Sequence, residues 1–100
     1  MKKKKYYYFL IKLNPKLKSQ ESMKYIQVVR SAKDKVLKQV ALESLLDTYY
    51  EKDIKDSVVE SIKECFKRDG EVKVSKSVTI IPTAYKISKQ EYIFLKKVLD

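Results

Sequence analysis

The first apolar run of the chain, residues 5–13, alternates between two kinds of side chain, which predicts a β-strand bounded by Asn14 and Pro15. One face of this strand is apolar throughout and is expected to belong to the core; it carries Tyr7, Phe9, Ile11 and Leu13. The opposite face places lysines at both ends of an aromatic and aliphatic stretch: Lys4, Tyr6, Tyr8, Leu10 and Lys12. The strand is therefore amphipathic, with a basic second face.

Residues 16–30 fit two interpretations. Ser19 can cap a helix that runs through Met23, Ile26 and Val29, whereas the β-branched and aromatic residues from 25 to 29 favour a second strand. The helical spacing is slightly favoured.

A helix is predicted from about residue 31 to residue 50, because Ser31 and Asp34 have the spacing of a capping box. Its apolar face changes along its length. Val36, Leu37, Val40 and Ala41 lie on one side, and a second group lies nearly opposite: Leu42, Leu45, Leu46, Tyr49 and Tyr50. Such a helix is sandwiched between layers, bent, or in contact with another chain. In the last case Leu42, Leu46, Tyr49 and Tyr50 would form a protein interface, with a partner protein or in a homodimer.

The clearest helix is predicted over residues 54–68. Its apolar stripe consists of Ile54, Val58, Ile62, Cys65 and Phe66. Lys67 and Arg68 suit the negative end of the helix dipole, and Gly70 supplies a left-handed stop. Cys65 is expected to be a packed side chain and not a reactive thiol.

The last third of the chain predicts a hairpin and a closing helix. Residues 71–74 and 77–81 alternate as strands, Pro82 is expected to end the second of these or to mark an edge, and residues 85–87 suit a short return strand. Ser88 and Glu91 form a full capping box that opens a helix over residues 89–99. This helix is expected to bury Tyr92, Leu95, Val98 and Leu99. The chain is thus predicted to be an α+β single domain over residues 1–100, with an N-terminal strand, a helical middle, a C-terminal hairpin and a closing helix.

The composition excludes the familiar catalytic classes. The chain has no histidine, one cysteine and one glycine, which removes histidine-based triads, most zinc sites and glycine-rich phosphate loops. Asp53, Asp56 and Glu60 could share a helix face and hold magnesium, but acids at the start of a helix more often complement its dipole. We therefore expect a protein that is not an enzyme and has no cofactor and no resident metal.

The net charge of +10 is concentrated at the two ends of the chain. Residues 1–18 contain seven lysines and no acid, residues 19–69 are neutral, and residues 70–100 carry the remaining excess. This asymmetry is typical of proteins that bind nucleic acid, although lysines that only maintain solubility would give the same count. Arg30 and Arg68 are the only arginines, so the contacts expected are those of lysine with phosphate, with little base-specific recognition.

The amino-terminal strand carries the strongest candidate binding site. Its tyrosines could stack with bases while its lysines approach phosphates, and lysines of the hairpin would extend one basic sheet face if the strands pair. The candidate nucleic-acid-binding residues are Lys3, Lys4, Lys5, Tyr6, Tyr8, Lys12, Lys16, Lys18, Lys73, Lys76 and Lys86. The expected partner is a nucleic acid or a nucleoprotein.

Two alternatives to nucleic-acid binding involve other partners. A small inhibitor or adaptor, of the kind that phages and mobile elements encode, would dock on a larger host enzyme through the helical interface residues. Lys2 to Lys5 could instead attach to an anionic membrane. The apolar face of the strand that follows is expected to pack in the core, which would leave it unable to insert into lipid. The start of the chain lacks a cleavage site of small residues, so a cytoplasmic protein is expected.

Overall fold

The computed structural model describes residues 5–17 and 24–99, which form four strands and three helices. In chain order these are β1 (Tyr7–Pro15), β2 (Tyr25–Ser31), α1 (Leu37–Tyr49), α2 (Asp56–Asp69), β3 (Val72–Lys73), β4 (Thr79–Ile87) and α3 (Lys89–Leu99). The strands pair antiparallel in the order β2-β1-β4-β3. The predicted α+β class and the predicted order of strand, helices, hairpin and closing helix are confirmed.

The core lies between one face of the sheet and the two middle helices. Phe9, Ile11 and Leu13 of β1 are at most 1% exposed, as their alternation predicted. Leu45 of α1 and Phe66 of α2 belong to the same apolar cluster. We call this face of the sheet the helical face, because α1 contacts β1 and β4, and α2 contacts β3.

The two apolar stripes of α1 are accounted for by packing within the chain. Leu42 and Leu45 are buried, and Leu46, Tyr49 and Tyr50 pack against the core cluster. The first turn of α1 instead leaves Val36 and Leu37 exposed. The residues predicted as a protein interface therefore have contacts inside the chain, and their use by a partner stays a prediction.

The segment from Tyr25 to Ser31 is a strand, so the helix favoured for residues 16–30 is wrong where the structure describes it. Its β-branched residues pair with β1, with Val29 opposite Phe9. Ser19 and Met23, the start of the proposed helix, lie outside the described residues. Pairing along the whole of β2 outweighs the weak helical spacing.

The predicted start of α1 is also wrong. Ser31 ends β2, and its Oγ accepts a hydrogen bond from the backbone N–H of Lys33 at 3.1 Å. The helix begins six residues later, at Leu37, and its N-cap residue Val36 makes no side-chain capping bond. Ser31 thus stabilises a local turn and does not cap the helix.

Pro82 does not end a strand, because β4 runs without interruption from Thr79 to Ile87. Proline is accepted there because β3 pairs only with Thr79 and Ile80. Pro82 therefore needs no backbone N–H donor on the β3 side of the strand. Pro82 thus marks an edge, as one of the two interpretations held. The separate return strand predicted over residues 85–87 is the second half of β4.

The two helix ends with clear sequence signals form as predicted. Gly70 has a φ of 71° and donates its N–H to the carbonyl of Phe66 at 2.8 Å, which closes α2. Ser88 and Glu91 exchange both hydrogen bonds of a capping box, each at 3.1 Å. These local signals are independent of tertiary packing.

The closing helix is less covered than predicted. No residue of α3 is buried, Tyr92 and Leu95 are half-buried, and Val98 and Leu99 are 63% and 42% exposed. The helix lies on β2 and β1, on the sheet face opposite α1. Because α3 packs on the sheet through one side, the sheet can bury the residues of that side only.

Candidate nucleic-acid interface

The face of the sheet opposite the helical face carries basic residues and no acidic residue on any of the four strands. The register assigns to it Ile26, Val28, Arg30, Tyr8, Leu10, Lys12, Asn14, Lys73, Thr79, Ile81, Thr83, Tyr85 and Ile87. Because α3 lies over β2 and β1, it divides this face into a covered part and an open part.

The two tyrosines predicted to stack with bases have ring contacts within the fold. The ring of Tyr8 packs against the ring of Tyr92 in α3, with centroids 4.9 Å apart. The guanidinium of Arg30 lies 4.6 Å from the ring centroid of Tyr6. Both rings are half-buried. Their faces are therefore used within the fold, and α3 occupies the place where a base would approach Tyr8.

The open part lies over β4 and the adjoining ends of β1 and β3, and we call it the open face. It consists of Lys12, Lys73, Ile81, Thr83 and Tyr85. Tyr85 is 49% exposed, and the ammonium of Lys12 lies 5.6 Å from its ring centroid. In such a pair the exposed ring can stack with a base while the neighbouring cation contacts the phosphate of the same nucleotide.

The predicted lysines divide into those on or near the open face and those elsewhere. Lys73 projects from the open face, and Lys76 lies in the exposed β3–β4 turn. Lys5 is exposed, with its ammonium 5.4 Å from the ring centroid of Tyr7 on the other side of the sheet. Lys12, Lys73 and Lys76 make no ion pair within residues 5–17 and 24–99.

Two predicted lysines are paired with acids. Lys86 is opposite Phe9, which places it on the helical face, where its ammonium lies 3.2 Å from a carboxylate oxygen of Asp34. The expectation that Lys86 would extend the same basic face as Lys12 is wrong, because even-numbered residues of β4 share a face with the core. Lys16 lies 3.0 Å from Glu71. Lys3, Lys4 and Lys18 lie outside the described residues.

Three residues of the open face were not predicted from the sequence, namely Ile81, Thr83 and Tyr85. The alternation Ile81, Thr83, Tyr85, Ile87 assigns them to the face opposite the core, but this pattern is visible only if the strand continues through Pro82. Ending the strand at proline concealed the register that brings Tyr85 beside Lys12.

Two places in the described part of the chain have shifted pKa values, the end of α1 and the end of α2. Burial raises the pKa of Tyr49 and Tyr50 in α1. Arg68 donates two hydrogen bonds to the Asp69 carboxylate and lowers its pKa. These shifts stem from packing and from an exposed ion pair, so they indicate no catalytic group.

The described part of the chain was also searched for metal sites and for membrane-spanning helices. Residues 5–17 and 24–99 contain no group of three or more cysteine, aspartate or glutamate side chains able to hold a metal ion. None of the helices over these residues has the length and apolar character needed to cross a bilayer.

The chain matches no protein-family model, and neither curated proteins nor solved structures give a significant match.

Proposed function

We propose that this protein is a non-enzymatic, lysine-dependent binder of single-stranded nucleic acid and that the open face is its contact surface. The observation that carries the proposal is the exposed ring of Tyr85 with the ammonium of Lys12 beside it, on a sheet face without acids. The net charge of +10 supplies the attraction that brings a polyanion to this face.

Each group on the open face has a separate role. The ring of Tyr85 stacks with one base, an interaction worth roughly 1 to 3 kcal/mol. Lys12 and Lys73 contact the flanking phosphates, and Lys76 extends the positive potential along the β3–β4 turn. Because an ammonium recognises charge and not the pattern of a base edge, binding is largely insensitive to sequence.

A single strand suits this surface better than a duplex. A base can stack on an exposed ring only when it has left its neighbours, whereas the bases of a duplex stack on one another. The open face is also a sheet surface, whereas the elements that enter a major groove are an α-helix or a two-stranded ribbon. We therefore expect single strands to be preferred over the matching duplex.

Fluorescence anisotropy with a labelled mixed-sequence oligonucleotide tests this function over a salt series. The affinity of wild-type protein should fall linearly on a logarithmic scale, with a slope of about −0.7 per phosphate contacted on a single strand. Lys12→Gln and Lys73→Gln should each reduce the slope by about that amount. Lys52→Gln, in the α1–α2 connection, is the matched control and should leave the slope unchanged. Absence of binding at low salt would end the proposal.

The contribution of stacking needs its own variant. Tyr85→Ala should weaken binding by roughly 5-fold to 150-fold, the equivalent of about 1 to 3 kcal/mol, and leave the salt slope unchanged. The matched control is Tyr25→Ala, because Tyr25 is similarly exposed at 41% but lies on the helical face of β2. Equal losses for the two variants would remove Tyr85 from the site.

A second candidate function, interaction with a host protein, is favoured by the uncovered side of α3. Ile93, Phe94 and Val98 are 45%, 66% and 63% exposed, and apolar side chains of this size are often partner contacts. A small inhibitor or adaptor could use them. Capture from lysate with and without nuclease separates the two functions, because only a nucleic-acid partner is released by digestion.

A further inference from the structure

The outer edge of β4 is open beyond Ile80. β3 pairs only with Thr79 and Ile80, and on that outer side none of the described strands lies beside the remaining seven residues of β4, which pair with β1 on their other side. The N–H of Lys16 donates to the carbonyl of Thr79 at 2.8 Å, so odd-numbered residues of β4 direct their backbone groups to β1. Pro82, Ala84 and Lys86 therefore direct theirs to the open edge.

The open edge adjoins a mainly apolar cavity that lies between β4 and the helices α1 and α2. A cavity of about 300 Å³ is lined by Leu37, Ala41 and Phe66 of the helices and by residues 81–85 of β4, among which Ile81, Thr83 and Tyr85 also belong to the open face. Leu37 is 41% exposed, although it lies in the first turn of α1 next to the sheet. Extended segments that add a strand to a sheet gain affinity from the backbone and specificity from such a pocket for a side chain.

The charges around the cavity are of one sign. A second cavity of about 320 Å³ shares Lys38 and Phe66 with the first and adds Lys63 and Lys67. No acidic residue lines either cavity. Lys63 is 3.5 Å from Glu60, whereas Lys38 and Lys67 have no ion pair within the described part of the chain. The surroundings of the edge thus complement a negatively charged segment.

We propose that the open edge of β4 binds an extended, acidic segment of a partner protein as an added strand in line with β3. The segment pairs with the N–H and C=O of Ala84 and with the N–H of Lys86, beyond the buried Pro82. One of its apolar side chains enters the cavity beside Leu37 and Phe66, and its carboxylates approach Lys38 and Lys67. The missing N–H of Pro82 reduces unspecific pairing at the same edge. The cavity shares Ile81, Thr83 and Tyr85 with the open face, whereas Lys38 and Phe66 belong to the cavity alone.

Amide hydrogen exchange with a synthetic peptide tests the proposal on the full chain. The probe is a capped peptide in which glutamate alternates with valine and leucine; the matched probe carries lysine in place of glutamate. In the free protein the amides of Ala84 and Lys86 should exchange fast, and those of Thr83 and Tyr85 slowly. With the acidic peptide at roughly ten times its dissociation constant, exchange at Ala84 and Lys86 should slow by about tenfold, because only the free fraction exchanges.

A charge-reversal pair tests the lysine contribution. Lys38→Glu should weaken binding of the acidic peptide by about fivefold to tenfold, and Lys52→Glu, distant from the cavity, should not. Nucleic-acid binding should persist in Lys38→Glu, which separates this site from the open face.

Three results would overturn the added-strand proposal. The first is equal binding of the acidic and basic peptides, or binding of the acidic peptide without protection at Ala84 and Lys86. The second is protection of these amides by an oligonucleotide, which would assign the edge to nucleic acid. The third is protection that rises with protein concentration alone, which would assign the edge to a second copy of the chain.

Discussion

Truncation of Leu42 tests whether the second apolar stripe of α1 is core or interface. Leu42 is 8% exposed in the folded chain, whereas Leu37, five residues earlier in the same helix, is 41% exposed. Leu42→Ala removes three buried carbon atoms, worth about 0.8 kcal/mol each, and leaves a partly unfilled cavity. The expected loss is therefore about 2.5 to 4 kcal/mol, a large part of the stability of a chain of this size.

The matched variant Leu37→Ala should cost less than about 1 kcal/mol, because its side chain is already partly in water and alanine favours the helix. Thermal unfolding followed by circular dichroism measures both. With roughly 4 to 8 °C per kcal/mol, Leu42→Ala should lower the Tm by about 10 to 30 °C and Leu37→Ala by a few degrees. If Leu42→Ala kept the wild-type Tm but abolished a self-association seen by sedimentation, Leu42 would be an interface residue.

Three smaller perturbations test local features of the fold. Ser88→Ala should cost about 1 kcal/mol and accelerate amide exchange in the first turn of α3, and an unchanged exchange pattern would show that the capping box is not needed there. Gly70→Ala should cost about 1 to 2 kcal/mol in denaturant unfolding through its left-handed backbone alone, since an added Cβ meets nothing within 4 Å; no loss would contradict that φ. Burial raises the pKa of Tyr50 above its ordinary value of 10.0. The neutral phenol of Tyr50 therefore makes its full contribution to the stability of the fold below pH 10.0, and this contribution is lost as the pH rises through the raised pKa. Phenolate absorbance should therefore show late titration of both Tyr49 and Tyr50, and Tyr50→Phe should lack one of these two late groups; identical titrations would refute the burial effect at Tyr50.

The features predicted correctly from sequence are those encoded by neighbouring residues. The alternation in β1 identified Phe9, Ile11 and Leu13 as core, and Gly70 and Ser88 marked helix boundaries through backbone chemistry that operates without tertiary contacts. The order of elements followed from these signals, and with it the α+β class.

The errors arose where tertiary pairing decides between two local possibilities. Tyr25–Ser31 is a strand because β1 offers it an edge, which the sequence of β2 does not reveal. Val98 and Leu99 have the spacing of buried residues, yet they are 63% and 42% exposed. A helical pattern shows which residues could be buried and not whether another element is present to bury them.

The candidate site shows the same division. Lysine excess and the basic second face of β1 were predictable, and Lys12 and Lys73 do lie on one face. Sequence could not show that α3 would cover Tyr8, nor that Lys86 would lie on the helical face opposite Phe9. The face of Lys86 depends on the register between β1 and β4, which is set by the pairing of the entire strands, and the cover over Tyr8 depends on where α3 packs.

The most direct test of nucleic-acid binding at the open face is an NMR titration of isotope-labelled protein with a single-stranded oligonucleotide. The account predicts that the amide signals of Lys12, Lys73 and Thr83 and the ring signals of Tyr85 shift together, while those of α2 do not. Shifts confined to α2 or to the uncovered side of α3, or no shifts at low salt, would contradict it.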